Sequence, residues 1–131
     1  MRSRLILLLA TLGLLLVVGA APRAAEHHIR VPLVASDNSG VTGFVELTQL
    51  PHGSHLVVVA RGLTPGTTYA SFYYESNNCT EPADLLGTFV GGDDGTGQVQ
   101  GKIDDDLDEV GSVSVRLGPG YGTLLSCATV H

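Results

Sequence analysis

The chain has no tryptophan, and phenylalanine and tyrosine make up only 5% of its 131 residues. A core built on large aromatic side chains is excluded, so aliphatic residues must fill it. Basic residues are scarce too: seven Lys and Arg stand against 13 Asp and Glu. Nucleic-acid binders need a cationic footprint and anionic membrane surfaces attract one, so neither partner class suits this chain. Cysteine occurs twice and never as C-x-x-C, which leaves no basis for a thiolate metal or dithiol redox centre. No Ser sits in a G-x-S-x-G context, and no Gly-rich loop opens a helix that could hold phosphate.

Long hydrophobic runs are limited to one. Leu5 to Val18 is almost wholly aliphatic, follows Arg2 and Arg4, and gives way to small residues. That pattern reads as a secretory signal peptide over residues 1–20, and the run is too short for a comfortable membrane span. Val18-Gly19-Ala20 places cleavage after Ala20, whereas cleavage after Ala25 would put Arg23 at the −3 position. Losing Arg2 and Arg4 with the signal leaves five basic residues against 13 acidic, a net charge of −8. Residues 21–30 read as a flexible lead-in and 31–131 as one domain. Export implies a secreted or periplasmic location. In that oxidising compartment the even pair Cys79 and Cys127 is expected to form a disulfide. Closing a loop of roughly 50 residues would contribute about 4 kcal/mol by the chain-entropy argument.

What fills the domain is a succession of short β-prone runs broken by Gly, Pro, Asn and Asp. They are Val31–Ala35, Val41–Leu50, His55–Arg61, Thr67–Glu75, Leu86–Val90, Gly97–Asp104, Val110–Leu117 and Thr123–Val130. About eight strands at this spacing indicate an all-β sandwich or barrel. Val113, Val115 and Leu117 alternate with Ser112, Ser114 and Arg116, predicting one apolar and one polar face. Leu50-Pro51-His52-Gly53-Ser54 reads as a hairpin loop, Thr64-Pro65-Gly66 as a type II turn, and Gly91 to Gly95 as a second hairpin connection.

Few residues suggest chemistry. Tyr73 and Tyr74 are adjacent, so they point to opposite faces of a strand, and Tyr69, Tyr73 and Tyr74 are candidates for an exposed contact surface. His52 and His55 flank a hairpin tip. Two imidazoles can begin a transition-metal site but cannot complete one, and His27, His28 and His131 could join only through the fold. The run Asp104-Asp105-Asp106-Leu107-Asp108-Glu109 lacks the Gly and terminal Glu of an EF-hand loop and reads as a solvated acidic turn. Asn78-Cys79-Thr80 fits the glycosylation sequon by chance, its middle residue being the expected disulfide cysteine.

Taken in order, several segments resemble the copper/zinc superoxide dismutase family. Val41-Thr42-Gly43-Phe44-Val45-Glu46-Leu47 is similar to its first strand pair, and Gly62-Leu63-Thr64-Pro65-Gly66 to its GL-x-x-G turn. Glu75 before Cys79, Leu86-Gly87-Thr88-Phe89 with Asp93-Asp94-Gly95, and Gly122 through Val130 around Cys127 follow in the family's order. The resemblance implies an eight-stranded Greek-key β-sandwich or barrel of the dismutase type, with Cys79 and Cys127 at the family's disulfide. It also exposes departures. The family's first copper-ligand pair, H-x-H, falls on Ser71 and Tyr73 or on Phe72 and Tyr74. Only Thr80 to Leu85 stand where the family has its zinc loop, and Leu124 stands where an Arg guides superoxide. The expectation is therefore a secreted or periplasmic dismutase-like sandwich without a catalytic metal or other cofactor, acting as a binding or structural module toward an unidentified protein or surface. The alternative is a copper- or zinc-binding protein, or a cryptic dismutase, using histidines outside the family's set.

Overall fold

The computed structural model describes residues 27–131, so the signal peptide expected over residues 1–20 lies outside the described residues. Eight strands follow one another: β1 (His28–Ala35), β2 (Thr42–Gln49), β3 (Ser54–Arg61), β4 (Thr68–Tyr74), β5 (Ala83–Val90), β6 (Thr96–Ile103), β7 (Ser112–Leu117) and β8 (Leu124–Thr129). A 3-10 turn, Leu107–Glu109, lies between β6 and β7. The strands form one antiparallel sheet in the order β5-β4-β7-β8-β1-β2-β3-β6. The jumps from β3 to β6, β4 to β7 and β8 back to β1 make it a Greek key.

The period-2 pattern explains the core. Val45 and Leu47 of β2, Leu56 and Val58 of β3, and Val113 and Val115 of β7 are fully enclosed. Each contributes about 2 kcal/mol through removal from water. Tyr69 and Phe89 are the aromatic members of this otherwise aliphatic cluster, their centroids 5.8 Å apart. The sheet curls until its edge strands face each other, but β5 and β6 share no hydrogen-bond ladder. Side chains close the gap. A Cβ on Gly97 would lie 2.8 Å from the Phe89 ring and 2.9 Å from Leu63, so only glycine lets these side chains seal the barrel. The expected hairpin at Gly91–Gly95 is thus corrected: the loop links two edges that pack without pairing.

Two further expectations change. His28–Arg30, assigned to the flexible lead-in, belong to β1. His28 Nδ1 lies 2.8 Å from Thr48 Oγ1, and the Arg30 guanidinium sits 3.6 Å over the Phe44 ring. With Ile29 packed against the core between them, they carry the β1–β2 ladder three residues ahead of Val31. Ser112 and Ser114 form the polar face of β7 as read from the alternation, yet both are fully buried. The segment between β4 and β5 folds over them.

Candidate functional site

On β4 the side chains divide between two clusters. Tyr69 and Tyr73 pack with the barrel interior, while Ala70, Phe72 and Tyr74 join Cys79 on the outer face. The Cys79–Cys127 disulfide, with Cα atoms 6.1 Å apart, fastens the β4–β5 segment to β8 as expected. Beneath it Cys79 N donates to Ser112 Oγ at 2.9 Å, and Ser112 Oγ donates to Ser76 O at 2.6 Å. The Tyr74 hydroxyl lies 2.7 Å from Ser114 Oγ. Arg116 binds on all three guanidinium nitrogens: Nε donates to the Tyr74 hydroxyl at 3.0 Å, Nη1 to Gly122 O at 2.9 Å and Nη2 to Cys79 O at 3.2 Å. Its guanidinium lies 3.8 Å over the Tyr121 ring, which meets Phe72 edge-on at 4.9 Å. Desolvation, then the neighbouring Tyr74 phenol, pushes the Tyr121 phenol up to about 12, so it stays neutral at ordinary pH. This outer face uses its donors within the fold.

One end of the barrel is built differently. The β2–β3 hairpin turns at Gly53, whose φ of +79° suits glycine and whose Cβ would strike Ile103 O. Gly53 N and Gln49 Nε2 both donate to Asp106 Oδ1, at 3.2 and 3.0 Å, and Gln49 Oε1 accepts from Leu107 N at 2.7 Å. Glu109 Oε1 accepts from Asp106 N at 2.7 Å, completing a capping box on the 3-10 turn. A cavity of about 370 Å³ opens beside this turn, lined by His27, Gln49, Asp106, Leu107, Asp108 and His131. Carboxylate oxygens of Asp106, Asp108 and Glu109 lie within 4.8 Å of one another. Desolvation, then the charges of Glu109, Asp84, Glu75 and Asp104, raises the Asp105 carboxyl above its ordinary value. Desolvation, with Asp84, Asp105 and Asp104, likewise raises the Tyr73 phenol. Among the described residues the one contact between a basic and an acidic side chain within 4 Å is His28 Nε2 with Glu46 Oε2, 3.8 Å apart.

The sequence-derived candidates scatter. Tyr69 and Tyr74 are buried, which corrects their assignment to an exposed contact surface. Tyr69 accepts from Thr64 N at 2.8 Å and Tyr74 is held by Arg116, so both hydroxyls have partners under cover. Tyr73 is half-buried against the core. His52 is exposed at the hairpin turn and His55 lies on β3 opposite Thr48 and Lys102; neither lines the cavity. His27 and His131 do, a proximity of chain segments far apart in sequence. The Arg116–Tyr121 stack and the Gln49 clamp had no sequence signal beyond an Arg alternating with serines and a polar residue ending a strand.

No protein-family model matches the chain, and no curated protein does. Among solved structures, a copper/zinc superoxide dismutase from Brucella abortus matches with a TM-score of 0.58 and 17% sequence identity, covering 79% of this chain and 99% of that one. The chain has the copper/zinc superoxide dismutase fold. In this dismutase fold the residues matching the family's first copper-ligand pair do not fit copper. Ser71 Oγ donates to Ser114 O at 2.8 Å, Tyr73 is half-buried, Phe72 has no donor atom, and the Tyr74 hydroxyl is engaged by Ser114 and Arg116. None offers the imidazole that copper redox chemistry draws on. Among the described residues no helix is long and apolar enough to cross a membrane.

Proposed function

We propose that the protein is a non-catalytic binding or structural module built on the dismutase fold and working outside the cytoplasm. The observation that carries this reading is the outer face of β4 and β7. Of the two pairs onto which the resemblance maps the copper ligands, Phe72 and Tyr74 join Ser114, Arg116 and Tyr121 in a packing and hydrogen-bond network, and Ser71 of the other pair donates to Ser114 O. A fold does not bring its activity along without the site. The disulfide and the 14-residue apolar run after Arg2 and Arg4 support export, because such bonds persist in oxidising compartments.

The test is dismutation. The exported protein is loaded with copper and zinc, freed of excess metal, and assayed for inhibition of superoxide-driven cytochrome c reduction. The expected result is no inhibition beyond that of the metal-free protein. Copper-dependent inhibition that tracks protein concentration overturns the reading.

A further inference from the structure

We draw no further inference here: the strongest candidate, the apolar surface patch on the outer face of β5, where Leu85 and Val90 stand exposed and Leu85 lies opposite Phe72 and its neighbour Tyr121, carries nothing because nothing in the structure shows what covers it.

Discussion

Around Arg116 one positive charge is bound on every guanidinium nitrogen and stacked on Tyr121, whereas around Asp106 a crowd of carboxylates stands without an ion pair among the described residues. Both regions are local departures from a regular antiparallel barrel, and both lie against the loops that follow β4 and β6. The difference lies in what covers them. The disulfide pins a loop over the first, so its polar groups had to find partners inside the protein. The second faces water, which tolerates like charges at close range and leaves donor atoms free. A closed network contributes stability, and an open cluster stays solvated.

The comparison can be broken most severely at the disulfide. Cys127→Ser should lower stability by roughly 2–5 kcal/mol in urea unfolding, because it frees the loop that covers Ser112 and Ser114. An unchanged midpoint would show that the loop holds its place through packing alone. Tyr74→Phe is the next largest change. It removes the hydroxyl shared by Ser114 and Arg116 and should cost about 2 kcal/mol, since a buried Ser and a guanidinium lose a partner. A loss well below 0.5 kcal/mol would mean that water replaces the phenol and that the network is not closed.

At the acidic end the effects are smaller. Gln49→Ala removes the amide that ties Asp106 and Leu107 to the hairpin. It should cost about 1 kcal/mol and speed amide hydrogen exchange at Leu107, and unchanged exchange would show that the capping box alone secures the turn. Asp105→Asn should act in the opposite direction. Its carboxyl is raised in the folded protein, so the stability it contributes is present below the ordinary value of 3.8 and is lost as pH rises through the raised one. At neutral pH the substitution relieves that loss, by about 0.5 kcal/mol for so well-solvated a group, and the gain should vanish by about pH 3. A gain that persists there would point to packing and not to charge.

The strands were legible because a barrel with one buried face writes its period into the chain. Val113 and Val115 are buried on the face their alternation predicted, although Leu117, read on the same face, is exposed, and the continuous apolar run Leu56 to Ala60 buries every second residue. Cys79 and Cys127 were legible as a pair because only two cysteines exist. The polar face of β7 was legible as polar, but alternation does not record whether a loop from elsewhere in the chain covers it. Tyr69 and Tyr74 misled for the same reason: a tyrosine with a hydroxyl partner can be buried as readily as exposed. His52 and His55 stood out through closeness in sequence, while His27 and His131, which share a cavity, are separated by nearly the whole domain.

By itself the sequence determined the fold class, the strand positions and the disulfide, since each rests on local periodicity, turn chemistry or a count of two. Which faces are buried twice, how β5 and β6 close without pairing, the locking of Arg116 and the placing of His27 and His131 at one cavity were decided by the tertiary structure. They depend on contacts between residues distant in the chain, and no local preference encodes those distances.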